Sequence, residues 1–493
     1  MLKPNEVIMK KVVLVMVFIA LFLDNMLLTT VVPIIPNYLI KTEVEMQLKN
    51  ISISNETRCQ FQDLYSGYNR NIFSLKGHIP SITQNFSKCF SNNDTHYSSA
   101  IQRTLQDDNL KVGLMFGSKA VMQIITNPFV GPLTNKIGYS VPMFTGFIIM
   151  FISTLVFAFG SSYSVLFIAR AVQGIGSAFT SVSGMGLLAT FYTEEKERSK
   201  AFAMALSGLA FGVLIGPPFG GVLFEFSGKT TPFVILAILA LFDGILQIIV
   251  FKPNIRPEVE KGNSIVTLLK DPYILIAAGS ITFGNMGIAM LEPTLPLWMK
   301  EKMNSESWEQ GLAFLPCSIS YLIGTNLFGF LSLKMGQWCT AMIGMILESI
   351  CLFIIPLTTS VYQLILPNFG LGLAIGMVDS SMMPLMGTLV DLRHVGVYGS
   401  IYAIADMAFC LSFAIGPLVS GTFVSSIGFE NMIKISATIT LLYAPMNYFL
   451  RNPPGNGINE QPSSLFIWMQ DQLLKGWKTF ALPHATNIVP NSD

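Results

Sequence analysis

Seven charged side chains interrupt stretches of the sequence that are otherwise apolar. The acids are Asp24, Asp243, Glu292, Asp379 and Asp406, and the bases are Lys119 and Arg170. A charge in the hydrocarbon core of a bilayer costs about 2.5–3.5 kcal/mol, so each of these residues is a functional hypothesis. Two bases cannot neutralise five acids. A shielded surplus carboxylate can hold a proton or an organic cation but disfavours both together, which predicts exchange of protons for a cationic solute.

The alternative is that these charges form structural ion pairs between helices. Glu348 lies in a further apolar stretch, and its surroundings in the sequence suggest no partner. The four histidines are too scattered for a metal site, so we expect no metal and no cofactor.

Aromatic residues lie close in sequence to the charged positions. Ring faces bind organic cations by cation–π contact, so an aromatic amine could be held by a carboxylate and by rings together. The candidates are Phe116, Trp298, Phe314, Tyr321, Phe409 and Phe413.

The elements that must position these residues are membrane-spanning helices. Of the 493 residues, 51% are hydrophobic and only 12% are charged, with a mean hydropathy of +0.55. That composition excludes a cytosolic enzyme, a nucleic-acid-binding protein and a disordered chain. We predict an all-α membrane protein with spans near 12–40, 110–131, 142–159, 164–191, 201–226, 231–251, 272–298, 310–333, 338–357, 362–390, 398–427 and 431–450.

Lys and Arg are concentrated in the short loops on one side of the predicted membrane, which places both termini in the cytoplasm. Residues 41–109 then form one long lumenal loop. It contains four N-x-S/T acceptors, at Asn50, Asn55, Asn85 and Asn93, and two cysteines that could form a disulfide, Cys59 and Cys89.

The sequence repeats at about 200 residues. Gly131–Gly138 resembles Gly329–Gly336, and a pattern of small residues containing Gly216 and Pro217 resembles the one containing Gly416 and Pro417. Parallel repeats predict two pseudo-symmetric six-helix bundles with a substrate site between them. The expected divisions are a cytoplasmic N-terminus, a first bundle, a linker, a second bundle and a cytoplasmic tail, at 1–11, 12–251, 252–271, 272–450 and 451–493.

Several longer stretches resemble the vesicular monoamine transporters of the Major Facilitator Superfamily. They lie at 21–27, 116–123, 127–139, 285–299, 314–329, 371–384 and 391–406. The likeness covers residues from about 12 to 453. It implies a transporter that exchanges lumenal protons for cytosolic serotonin, dopamine, noradrenaline or histamine in secretory or synaptic vesicles. A vesicular proton pump would supply the gradient. We expect a monomer that contacts membrane lipid and no nucleic acid.

The resemblance also implies roles for individual residues. Asp24, with Asn25 beside it, corresponds to the carboxylate that meets the amine, and Lys119 to a base paired with Asp406 in a proton-linked network. Glu292 and Asp379 correspond to lumen-accessible acids of the pocket. The remaining roles are pocket lining for Asn285 and Tyr321, proton coupling for His394, and gating or structure for Arg170, Asp243, Trp298, Gly216 and Pro217.

Two other transporters fit an acidic, aromatic pocket: a vesicular acetylcholine transporter and a broad-specificity antiporter of cationic drugs. The chain also departs from the amine carriers. The stretch after Trp298 lacks a cysteine, Phe413 replaces a tyrosine found in some relatives, and the tail lacks an acidic cluster.

Overall fold

The computed structural model describes residues 4–50, 95–251, 264–303, 305 and 307–454, and all regular secondary structure within these ranges is helical. Its long helices are α1 (Pro4–Asn50), α2 (Thr95–Ile137), α3 (Ser140–Phe159), α4 (Tyr163–Phe191), α5 (Glu195–Ser227), α6 (Thr230–Phe251), α7 (Pro272–Met303), α8 (Leu315–Met335), α9 (Gln337–Ile354), α10 (Ile365–Arg393), α11 (Gly399–Ile427) and α12 (Phe429–Tyr443). Short helical turns occur at Ile265–Leu268, Ser307–Leu312, Ile355–Leu357, Val361–Leu364 and Ala444–Arg451.

By length and composition, ten of these helices could cross a membrane; α2 and α12 are the other two. The helix α12 is short, but the turn Ala444–Arg451 continues it without a break. Large apolar side chains such as Phe129, Phe226 and Leu366 are exposed, as is typical of a surface that faces lipid. The predicted all-α membrane fold is confirmed.

The helix ends differ from the prediction around the long loop. The helix α1 continues to Asn50 and α2 begins at Thr95, so both extend into the range predicted as loop. Residues 41–50 and 95–109 are too polar for a membrane span, yet many of them favour helix, so hydropathy locates the span and not the helix end. Cys59, Cys89, Asn55, Asn85 and Asn93 lie outside the described residues, as do the side chain of Asn50, residues 252–263 and the tail beyond 454.

Small residues allow equivalent helices to approach closely in the two halves. In α5, a Cβ added at Gly216 would collide with Thr29 of α1, and in α11 one added at Gly416 would lie 2.7 Å from Ala289 of α7. The first and fifth helices of each half therefore pack through the same motif. The repeated segments after α2 and α8 also match, because each ends in a glycine with positive φ, Gly138 at 83° and Gly336 at 92°.

The two halves meet mainly where α2 packs on α11 and α5 packs on α8. Polar bonds join them at one end of the molecule, where Arg198 Nη1 lies 2.7 Å from Asp391 Oδ2 and Ser199 Oγ donates to the carbonyl of Gly329 at 2.7 Å. Phe202 stacks on Tyr402 beside them, with ring centroids 5.2 Å apart. The start of α1 and residue 454 lie at the same end. We call this end the terminal face.

Candidate functional site

Asp24 forms a buried ion pair in the middle of the N-terminal half. Lys119 Nζ of α2 lies 2.8 Å from Asp24 Oδ1, and Ser177 Oγ of α4 donates to Asp24 Oδ2 at 2.7 Å. Gly174 makes this possible, because a Cβ there would overlap the Lys119 carbonyl and hold α4 away from α2. The cluster brings the basic side chain of Lys119 to the acid predicted to meet an amine.

The predicted pairing of Lys119 with Asp406 is wrong in this structure. Lys119 is engaged by Asp24, and its Nζ also lies 3.5 Å from the Asp24 backbone carbonyl. Charge counting along the sequence showed that a base must neutralise an acid, but it could not decide which of the acids the base would reach.

Asp406 instead accepts hydrogen bonds from three neutral donors of the opposite half. Gln123 Nε2 and Asn127 Nδ2 of α2 lie 2.8 and 2.7 Å from Asp406 Oδ2, and Ser181 Oγ of α4 lies 2.7 Å from Oδ1. The acid belongs to α11, so this buried cluster crosses between the halves. Its bonds must break or rearrange if α11 moves away from α2 and α4.

Asp379 forms the third cluster, within the C-terminal half. Asn285 Nδ2 of α7 donates to Asp379 Oδ1 at 3.0 Å, and Tyr321 Oη of α8 donates to Oδ2 at 3.1 Å. Tyr321 stands 202 positions after Lys119 of the first cluster, and Asp379 stands 202 positions after Ser177 of that cluster. The two clusters therefore use the first, second and fourth helix of their halves, with the acid on the first helix in one and on the fourth in the other.

Glu292 of α7 differs from these acids because its side chain is accessible to solvent although protein atoms surround it. A residue that lines an internal recess has this property. Among the described residues it makes no ion pair. Asp406, Asp379 and Glu292 thus lack a basic partner in the part of the chain that the structure describes, whereas Asp24 has Lys119.

The predicted aromatic residues separate into two groups. Phe409 and Phe413 pack together with centroids 5.0 Å apart, and both contact the α2–α11 boundary that contains Asp406. Trp298 is buried against Phe429 at 4.7 Å, with Lys302 5.0 Å from its ring centre, so it packs inside the C-terminal half. Phe314 and Phe116 are partly buried against separate apolar cores.

Known transporters resemble this chain in amino-acid sequence. The Major Facilitator Superfamily profile matches residues 14–405 and 286–485. The synaptic vesicular amine transporter of Mus musculus is 53% identical, covering 90% of this chain and 89% of that protein. The chromaffin granule amine transporter of Rattus norvegicus is 52% identical, with 90% and 88% covered.

The chain belongs to the vesicular amine transporter family of the Major Facilitator Superfamily.

Two further comparisons place the chain within and beyond this family. The vesicular acetylcholine transporter of Tetronarce californica is 38% identical, with 90% of this chain and 81% of that protein covered. The crystal structure of the human organic anion transporter MFSD10 matches with a TM-score of 0.67 at 16% identity, covering 92% and 100% of the two chains. At that identity the second match supports the fold alone.

In this member of the vesicular amine transporter family, Arg170 connects two helices of the N-terminal half. It is fully buried, and its guanidinium donates to the carbonyls of Leu27 and Leu28 at 3.2 and 3.1 Å and to the side chain of Gln173. It ties α4 to α1 one turn beyond Asp24. The Asn25 amide donates to the Leu21 carbonyl of its own helix at 2.9 Å.

Two predicted residues lie away from the three clusters. Asp243 of α6 is buried, and neither of its carboxylate oxygens has a hydrogen-bond partner among the described residues. His394 follows α10 at the terminal face, where its Nε2 lies 2.8 Å from Asp271 Oδ2 and Arg393 binds the same oxygen at 2.7 Å. The structure does not bring His394 into contact with Asp406 or Asp379.

Four site residues escaped prediction from the sequence: Gln123, Asn127, Ser177 and Ser181. A usable signal was present, because Lys119, Gln123 and Asn127 recur every four residues in α2, and Ser177 and Ser181 do so in α4. Such spacing places polar groups on one helix face. The described residues contain no group of three or more potential metal ligands.

Proposed function

We propose that this chain is a proton-coupled antiporter that loads cytosolic monoamines into acidic secretory or synaptic vesicles by alternating access. The observation that carries the proposal is the charge imbalance of the three central clusters. In the part of the chain that the structure describes, Asp24 has a basic partner, whereas Asp406 at the boundary of the halves and Asp379 and Glu292 in the C-terminal half have none. Acids in this position favour binding of a proton or an ammonium group.

The arrangement suggests how the two ligands compete. An amine that approaches Asp24 must displace Lys119 or share the carboxylate with it, and the carboxylate supplies the opposite charge that the ammonium needs. The rings of Phe409 and Phe413 lie at the boundary of the halves and could stack on an aromatic substrate. Protons entering from an acidic lumen would neutralise the acids and release the amine.

The state described here fits a transporter closed at the terminal face, since the bonds of Arg198, Ser199 and Asp406 join the halves from that face to the centre. Lys10, Arg198 and Arg393 lie at this face, which supports a cytoplasmic location for it and for both termini. A vesicular proton pump would supply the gradient, and a single chain contains both halves of the site, so we expect a monomer.

The test is uptake of labelled serotonin, dopamine and acetylcholine into proteoliposomes that are acidic inside. We expect accumulation of the monoamines, little accumulation of acetylcholine, and loss of accumulation when a protonophore is added. Preferred uptake of acetylcholine, or equal uptake of bulky unrelated cations, would replace this proposal with one of the two alternative transporters.

A further inference from the structure

Glu348 is a buried acid that the three central clusters do not use. It lies on α9 and is completely buried, on the face that also carries Ala341, Met345 and Leu352. The opposite face of α9 exposes Ile343, Ile350 and Ile354. Glu348 therefore points into the C-terminal half and away from lipid. Neither of its carboxylate oxygens has a hydrogen-bond partner among the described residues.

The carboxyl group occupies a fitted position between three helices. A Cβ added at Gly287 of α7 would lie 2.8 Å from Glu348 Oε1, so a larger residue at 287 would displace the carboxyl. One turn away on the same two helices, a Cβ added at Gly284 or at Gly344 would lie 3.0 or 3.1 Å from the side chain of Val378 of α10. Since Asp379 follows Val378, the Glu348 carboxyl and the Asp379 cluster lie on neighbouring turns of the same helix junction.

The charged and titratable groups around Glu348 include no base among the described residues. Asp379 faces it from α10, Cys317 from α8 and Cys351 from its own helix. The helix α12 and the turn that follows it contact α9 beside Glu348 through Ala437 and Asn447, which do not titrate. Tyr448 and Arg451 of the same turn contact α9 at Trp338, ten positions before Glu348. Within the described ranges, the groups around Glu348 are therefore acids and thiols, with no cation to compensate its charge.

Asp379 and Glu348 differ in the hydrogen-bond donors that surround their carboxyl groups. Asp379 accepts hydrogen bonds from Asn285 and Tyr321, which stabilise its ionised form. Glu348 has no donor in the described part of the chain, and an unpaired charge that is fully buried is strongly disfavoured. Paired acids in such contrasting surroundings divide into one that is ionised and one that keeps its proton.

We propose that Glu348 is a proton-binding site in the core of the C-terminal half, distinct from the three central clusters and coupled to Asp379. The two carboxyls titrate as a pair, so that a charge on Asp379 favours retention of the proton on Glu348. If the chain exchanges protons for amines, this pair adds one proton-holding group to the cycle. That consequence alone rests on the proposed function.

The test is infrared spectroscopy of the purified full chain in liposomes, without amine, over a range of pH. We expect a carbonyl band of a protonated carboxylic acid in the wild type that is absent from E348Q. In D379N the same band should disappear at a lower pH than in the wild type, because the negative neighbour is gone. Asp243→Asn is the matched control: it removes another unpartnered buried acid, and it should leave the Glu348 band and its titration unchanged.

A second measurement does not need the Asp379 variant. At pH 7 an unfolded glutamate is ionised, so unfolding of the wild type should release one more proton than unfolding of E348Q. An E348Q spectrum identical to that of the wild type, a titration unchanged in D379N, or equal proton release on unfolding would each overturn the proposal. If the band is lost in E348Q but the wild type transports no amine, the proton-binding site stands and the proposed transport function is rejected.

Discussion

At the scale of single residues, the central site depends on one ion pair that is almost fully shielded. The side chains of Lys119 and Asp24 are only 5% and 12% exposed, so neither charge can be solvated if its partner is removed. Breaking a buried pair on one side typically costs about 3–5 kcal/mol, whereas removing both charges costs much less.

This asymmetry predicts the behaviour of three variants. Lys119→Ala should lower the thermal unfolding temperature of the purified protein strongly, and Lys119→Ala with Asp24→Asn should recover much of the loss. Lys119→Ala with Asp406→Asn is the control, and it should recover nothing, because Asp406 is bound by neutral donors. Recovery with Asp406→Asn and not with Asp24→Asn would instead support the pairing of Lys119 with Asp406 that the sequence resemblance suggested.

The sequence identified the acids and bases of the site but not their partners. Asp24, Asp379 and Asp406 stand out because charges are rare in apolar helices, and each lies in a polar cluster. Which groups meet depends on the rotation of each helix and on close approaches such as that of Gly174 to Lys119. Hydropathy and charge counting do not determine these features.

At the scale of helices, the small residues of α5 set how closely it packs on α1. Gly216 and Pro217 were predicted to be gating or structural. The space around Gly216 is filled by Thr29, and Gly220 packs on the Thr30 backbone in the same way. The motif therefore acts first through packing, and any role in gating remains a prediction.

We expect Gly216→Ala to destabilise the protein by about 1–3 kcal/mol, the usual range for overpacking. Gly117→Ala in α2 is a matched control, because a Cβ there would meet nothing within 4 Å. It should be neutral or slightly stabilising, since alanine favours helix over glycine. Unfolding temperatures of the two purified variants compare them directly, and equal temperatures would contradict the packing argument.

The corner between α5 and α6 predicts a dependence of stability on pH. Lys229 donates to the carbonyl of Gly160 and lies 4.3 Å from the ring centre of Tyr38, and burial lowers the pKa of Lys229 from 10.5 to about 8. Between these values the unfolded chain binds a proton that the folded chain lacks, so stability should rise as pH rises from about 8 to 10.5.

Replacing the amine tests this assignment. Lys229→Met should reduce the rise in unfolding temperature between pH 8 and 10.5 relative to the wild type. Lys200→Met, at a lysine that is exposed near the terminal face, serves as the control and should keep the rise. An equal change in unfolding temperature in Lys229→Met and in the wild type over this range would show that Lys229 is not a buried amine of lowered pKa.

The positions of the helices were the feature of the structure that the sequence predicted best. Every long helix that the structure describes overlaps a predicted span, because an apolar stretch of about 20 residues has few alternatives in a membrane. The ends of α1 and α2 were less predictable, since polar segments with good helix formers extend a helix without a change in hydropathy. The repeat at about 200 residues predicted the matching contacts of Gly216 and Gly416.

At the scale of the whole molecule, the two halves are joined from the terminal face to the centre. Asn135 Nδ2 of α2 lies 3.2 Å from Ser400 Oγ of α11, close to the Arg198–Asp391 pair. If transport proceeds by alternating access, these contacts must separate in each cycle.

A disulfide across this contact should therefore stop transport. We expect Asn135→Cys with Ser400→Cys to lose amine uptake on oxidation and to regain it on reduction. The two single variants carry the same native cysteines, so they control for effects of oxidation elsewhere and should keep their uptake. Undiminished uptake by the cross-linked protein would mean that the terminal face does not open during transport.

The central claim is that protons held by acids without basic partners are exchanged for an organic cation that binds at Asp24. The most direct measurement is the internal pH of acid-loaded proteoliposomes when serotonin is added outside. We predict that the interior becomes more alkaline as labelled serotonin enters, and that Asp24→Asn abolishes both changes. Equal accumulation of serotonin without a pH gradient, and without any movement of protons, would contradict the account.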